Sequence, residues 1–340
     1  MNAKEDLPFF LTQNEGLGQV KPEDDLLHPE QNKLVSDDSL TETQYFGFSV
    51  PEENIHAIGY LWYHPNLHVV SGGILAFQGI KEYQTNAELC DLRIFMHDRT
   101  LKNDLYEYRL ANGYGVKVVE PLKRYHMTYA DATRNSSVDI HFEALQPPVM
   151  FADGKHFEQV LRAKGELVMR GKRYEVDCFN IRDRSWGKPR PEDAMPIAPL
   201  TWNTGVFNKD FAFNCNIIEQ VQGNPELKGK FEMPIDKTVN GGWILRDGKV
   251  GYVVSGTKSV VRDPKNFLPK SMEFSITDNL GRTIEIKGTI IAACPFPSWP
   301  NIWFPVCLAR WECEGMVAYG DCQEGVFTDY ANFRLGGAKR

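Results

Sequence analysis

From Thr43 to about Glu324 the sequence is a succession of short runs rich in β-branched and aromatic residues, each cut off by Gly, Pro, Asn or Asp. That texture constrains the fold more than any other feature, because such runs form strands and such interruptions form turns. The alternation is clearest in Val138–Ala144. There Val138, Ile140, Phe142 and Ala144 share one face of an extended chain, and Asp139, His141 and Glu143 share the other. His64-Pro65-Asn66 and Asp247-Gly248 mark turns between paired runs. No apolar stripe of helical period runs long enough for a major helix, which disfavours alternating strand–helix folds. A 12% aromatic share, 28 glycines and 20 prolines agree. The expectation is an all-β chain of two antiparallel barrel or sandwich domains packed together.

The expected organisation is an extended polar arm over residues 1–42, a first β domain over 43–178 and a second over 179–340. The arm lies over the surface and makes one short helical turn near Pro22, where proline opens and acids follow. Within the first domain, Leu161–Met169 and Tyr174–Ile181 form a hairpin about Gly171.

Charge and cysteine usage exclude several partners. A net charge of −7 argues against a nucleic-acid partner, which needs a basic face. No apolar window reaches membrane-spanning length, and the first residues lack the apolar core of a signal peptide. The seven cysteines form no Cys-x-x-Cys pair and read as reduced thiols of a cytoplasmic protein. All eight histidines lie between His28 and His156. His64 and His68 are four apart, but Pro65 breaks any helix between them, so no metal site is expected there. No glycine pair opens a helix as a phosphate cradle would. Neither a metal nor a nucleotide cofactor is expected.

The densest chemistry lies in Asn180–Arg190, where arginines surround Asp183, Ser185 and Trp186. Asp183 between Arg182 and Arg184 would be ionised if it paired with both. Gly187 and Pro189 would then turn the chain. The stretch is either a clasp holding two layers or the floor of a pocket. His156 and Glu158, two apart, point the same way on a strand and could move protons at neutral pH. Asp183, Glu158 and His156 are therefore the candidate catalytic groups. Trp186, Arg184, Tyr45, Trp62, Trp202 and Asn203 are the candidate substrate-binding residues. Aromatic walls of this kind can hold an apolar ligand and stabilise a carbocation.

The order Tyr45-Phe46, His64-Pro65-Asn66, Glu120-Pro121-Leu122, His156-x-Glu158-Gln159 and Arg182-Asp183-Arg184-Ser185-Trp186-Gly187 resembles two-domain lipocalin-like (calycin-type) proteins. That group includes carotenoid 1,2-hydratase-like and AttH-like proteins and related hydratases and cyclases. The resemblance implies two β domains with a hydrophobic pocket. It also implies cofactor-free hydratase, dehydratase, isomerase or cyclase chemistry on terpenoid, steroid or polyketide-like substrates. A non-catalytic carrier of a hydrophobic small molecule needs the same pocket and is the alternative. Neither reading requires a partner chain, and both leave room for a homodimer.

Overall fold

The computed structural model describes residues 19–151, 153–190, 197–221, 224–227, 229–299 and 301–336, leaving aside the side chains of 297–299. The first part of the arm, residues 1–18, lies outside the described residues. The chain divides into two compact units. One comprises the chain up to Gln78 with Thr85–Pro191, and the other Gly79–Gln84 with the chain from Glu192 on. The first unit thus runs past the boundary expected at residue 178, because its last strand is unbroken to Pro189.

The first unit holds β1 (Leu40–Val50), β2 (Ile55–His64), β3 (Val69–Gln78), β4 (Leu89–His97), β5 (Glu107–Arg109), β6 (Gly115–Glu120), β7 (Arg124–Asp131), β8 (Ser136–Ala144), β9 (Val149–Met150), β10 (His156–Met169) and β11 (Lys172–Pro189). They form one antiparallel half-barrel sheet in the order β4-β3-β2-β1-β11-β10-β8-β7-β6-β5, with β9 added to β10. The β8 alternation does what its pattern demands: Val138, Ile140 and Phe142 are buried, while Asp139, His141 and Glu143 are exposed. Phe46, Phe48, Ile74, Tyr125, Met127 and Leu167 join them in one apolar cluster on the sheet's inner face.

The expected hairpin about Gly171 is present but much longer. β10 and β11 pair in register from His156↔Ser185 to Met169↔Lys172. Asn180–Pro189 is therefore strand, not a loop after one. Gly187 takes a left-handed φ of 63° without turning the chain. Near it the pairing of β1 with β11 slips between Thr41↔Lys188 and Thr43↔Ser185, so the glycine absorbs a bulge.

A second bulge lies on β4. Val70 pairs with Met96 and Gly72 with Arg93, so Ile94 and Phe95 together oppose Ser71. Phe95 has a φ of 57°, and its N–H donates to Ser71 Oγ at 3.1 Å.

The arm makes the expected turn, a 3₁₀ helix over Pro22–Asp25, and then a one-turn helix α1 (Pro29–Asn32). It is not draped over the surface. Asp25, His28 and Asn32 are buried.

The second unit holds β12 (Leu200–Asn208), β13 (Phe211–Ile218), β14 (Val239–Arg246), β15 (Lys249–Arg262), β16 (Pro269–Asp278), β17 (Thr283–Trp299), β18 (Ile302–Cys313) and β19 (Met316–Phe327), followed by the helix α2 (Thr328–Leu335). The eight strands close in sequence order into a barrel, β12 pairing with β19 from Leu200↔Gly325 to Asn203↔Cys322. Asp247 and Gly248 take left-handed φ values of 51° and 72° at the β14–β15 turn, as the Asp-Gly pair predicts. Phe213, Phe274 and Trp311 meet in the interior with ring centroids 5.5–5.8 Å apart. A Cβ on Gly288 would stand 2.2 Å from the Trp311 ring, so that position must be glycine for the indole to fit.

Buried Lys258 bonds to Pro199 O at 3.2 Å and to Thr201 Oγ1, and Arg262 pairs with Glu324 at 2.5 Å and Glu219 at 2.7 Å. Burial pulls the Lys258 ammonium below its ordinary value, against the opposing pull of Glu324 and Glu219. All seven cysteines are free thiols. Among the described residues no helix is long and apolar enough to cross a membrane.

Candidate functional site

Strand geometry sends the residues of Asn180–Arg190 alternately to the two faces of the sheet. Arg182, Arg184 and Trp186 go to the inner face and meet the arm. Arg182 Nη2 donates to Asp25 Oδ1 at 2.7 Å and Nε to Gln159 Oε1 at 3.0 Å. Its guanidinium lies over the Tyr125 ring, 4.2 Å from the centroid. Asp25 is held again by Tyr125 Oη at 2.8 Å and Leu122 N at 2.7 Å.

Arg184 donates to Glu42 Oε2, to Leu26 O at 2.5 Å, to Thr43 O at 3.0 Å and to Ser185 O at 2.8 Å. The Glu42 carboxylate also accepts His28 N at 2.9 Å and Asn32 Nδ2 at 2.6 Å. Burial pushes that carboxyl up, but Arg184 and His28 outweigh it and leave it at about 2. His28 moves up from its usual value: burial lowers it, and Asp24 and Glu42 more than compensate. Its ring stacks on Trp186 at 4.1 Å, and Trp186 Nε1 donates to Gln31 Oε1 at 2.9 Å. Asp183 is thus not the partner of Arg182 and Arg184, which take their carboxylates from the arm and from β1.

Asp183 and Ser185 go to the outer face, where strand pairing builds two rows across four strands. Glu158, Asp183, Tyr45 and Tyr60 form one, and His156, Ser185, Thr43 and Trp62 the other. His156 Nε2 lies 3.8 Å from Glu158 Oε1 and 3.8 Å from Asp183 Oδ2. Their side chains are 15%, 0% and 21% exposed for His156, Glu158 and Asp183. Phe151 stacks on the imidazole at 4.3 Å.

In the middle of the rows Ser185 Oγ shares a 2.6 Å hydrogen bond with Thr43 Oγ1 and accepts from Arg190 Nη2 at 2.6 Å. At the far end Tyr60 meets Tyr45 edge-on at 5.9 Å and Trp62 at 5.1 Å. Burial pushes the Tyr60 phenol up to about 12, Arg190 opposing it and Asp183 adding to it. The arrangement places an imidazole and two carboxylates at one end of an aromatic strip.

Of the residues singled out from sequence, Asp183, Glu158, His156, Tyr45 and Trp62 share this face. Trp186 and Arg184 belong to the opposite one. Trp202 and Asn203 lie on β12 of the second unit, where Asn203 is buried with its Nδ2 3.4 Å from Cys215 O. Thr43, Tyr60 and Arg190 join the cluster without having been singled out as site residues. Tyr60 was within reach, since it sits two residues before Trp62 on the same strand face.

An all-β chain of two strand units has known counterparts in fold. Residues 21–326 match the family described as a domain of unknown function, DUF7064, and the chain belongs to that family. No curated protein matches the sequence. Among solved structures, an AttH-like protein of Nitrosomonas europaea is similar at 12% identity with a TM-score of 0.62, over 91% of this chain and 97% of that one. A kievitone hydratase from Nectria haematococca is similar at 11% identity with a TM-score of 0.49, over 96% of this chain and all of that one. The likeness to the AttH-like protein carries the fold and agrees with the resemblance drawn from the motifs.

Proposed function

We propose that this chain is a hydratase, dehydratase, isomerase or cyclase that acts by proton transfer on a hydrophobic substrate of terpenoid, steroid or polyketide type, without a metal or nucleotide at its reacting centre. The observation that carries the proposal is the single imidazole equidistant from two carboxylates, one of them fully buried. A proton held on His156 can pass to either carboxylate. Glu158 or His156 then serves as the acid that protonates an alkene or a leaving hydroxyl. Asp183 serves as the base, or as the anion facing a developing cation. The aromatic faces of Tyr45 and Trp62 stabilise the same positive charge and exclude water.

The test identifies small molecules that copurify with the full chain by mass spectrometry and follows their conversion. Wild type turns one over, whereas Asp183→Asn and Glu158→Gln bind it and turn it over ~10²–10⁴-fold more slowly. Full turnover in both variants overturns the assignment. Binding without turnover by wild type makes the protein a carrier.

A further inference from the structure

On the outer face of β7 and β8, away from the cluster just described, two imidazoles and a carboxylate converge. His126 and His141 are directly paired across the strands, and Asp139 precedes His141 by one turn of the pleat. The imidazoles are parallel to within 6°, with ring centroids 4.1 Å apart. Asp139 Oδ1 lies 2.7 Å from His126 Nε2 and 3.9 Å from His141 Nε2, and the three donor atoms all fall within 4.8 Å of one another. We propose that His126, Asp139 and His141 form a binding site for a divalent transition-metal ion of the zinc, nickel or copper kind.

The donor set is right for such an ion. Two neutral imidazoles and a carboxylate suit borderline metals, whereas magnesium and calcium prefer oxygen alone. An ion about 2.0–2.2 Å from each ligand in tetrahedral geometry needs donor atoms roughly 3.3 Å apart. The two measured imidazole–carboxylate distances bracket that value. The side chains are 27% exposed for His126, 64% for Asp139 and 65% for His141, so small rotations bring the atoms to it. A pair of histidines fixed across a ladder needs no backbone movement, and the remaining coordination positions face solvent.

The two lysines in register with the histidines are occupied elsewhere. Lys117, the partner of His126 on β6, pairs with Glu107 at 3.5 Å. Lys164, the partner of His141 on β10, pairs with Asp177 at 3.5 Å. The face is therefore not closed to a cation by free lysines.

A second imidazole–carboxylate group shows what is special here. His68 and His97 also flank an aspartate, Asp98, at 3.0 and 2.9 Å. There the imidazoles take different carboxylate oxygens, and His97 Nδ1 already accepts the Arg99 N–H at 3.1 Å. That lone pair is spent within the protein. At His126 and His141 both Nε2 atoms turn to the same carboxylate oxygen. The sequence alone shows Asp139 and His141 on one face, but His126 joins them only through the pairing of β7 with β8.

The test is calorimetric titration of the full chain with Zn²⁺, after alkylation of the half-buried thiols Cys90 and Cys178. Wild type is expected to take up one equivalent at this site and to melt at a higher temperature in its presence. His126→Ala and His141→Ala each weaken binding by more than about 100-fold, beyond what loss of an outer hydrogen-bond partner costs. Asp139→Asn weakens it less. His68→Ala leaves the isotherm unchanged and serves as the folded control. No uptake by wild type at millimolar Zn²⁺, an unchanged isotherm in His126→Ala and His141→Ala, or loss of binding in His68→Ala overturns the proposal.

Discussion

The two faces of β11 both gather charged side chains and treat them in opposite ways. On the inner face every charge has a fixed opposite: Arg182 with Asp25, Arg184 with Glu42. On the outer face His156 stands between Glu158 and Asp183 at 3.8 Å from each, too far for a firm hydrogen bond to either. Inside, the two guanidiniums fix their carboxylates and hold geometry, and the imidazole beside them, His28, is stacked on Trp186. Outside, the imidazole itself is what strand pairing sets between two carboxylates. Strand alternation alone separates the two roles within three consecutive residues.

Turnover separates the two faces most sharply. Asp183→Asn and Glu158→Gln are expected to lower conversion of the cognate substrate ~10²–10⁴-fold while leaving the melting temperature close to wild type, as checked by product formation and calorimetry. The inner face should answer oppositely. Arg184→Met leaves Glu42 buried without its cation and is expected to cost about 3–5 kcal/mol in urea unfolding. Adding Glu42→Leu recovers most of that loss, because replacing both partners of a buried pair with apolar groups is far milder than removing one.

Acid should loosen the same face. Glu42 sits at about 2 in the folded chain against 4.5 as its ordinary value, a depressed carboxyl. Its contribution, on the order of 3 kcal/mol, is complete above pH 4.5 and lost as the pH falls through 2. His28 is raised, so its contribution is present below its ordinary 6.5 and lost as the pH rises through the folded value. Unfolding free energy measured against pH should therefore sag at both ends, and Arg184→Met should flatten the acid limb. The smallest effect is that of Gln31→Ala, which removes the acceptor of the Trp186 N–H. It should cost about 1–2 kcal/mol and shift the indole fluorescence.

Much of the strand pattern was legible because its causes are local. Val138–Ala144 alternates, Asp247-Gly248 turns, and Pro22 opens a helical turn as short-range chemistry requires. The character of Asn180–Arg190 was half legible. Its residues announced a charged cluster, but the partners of its arginines lie 142 and 157 residues away in sequence. Nothing local tells Arg184 from Asp183, so the cluster looked like one network when it is two. Gly187 misled for a related reason: a left-handed glycine serves a bulge as readily as a turn, and only the slip opposite Thr41–Thr43 decides which. The arm's burial follows from the same long-range pairing, since its polar composition resembles that of a surface segment until Arg182 and Arg184 are placed.

The barrel of the second unit has no free edge, but the half-barrel sheet of the first ends at β4, where Ile94 and Phe95 are exposed. An apolar outermost strand is a template onto which another molecule can add its own, the first step towards fibrils. The two-for-one insertion opposite Ser71 puts β4 out of phase midway along its length. A would-be recruit can match the segment before Ile94 or the one after Phe95, but not both. The irregularity thereby leaves a recruited strand no continuous register to extend.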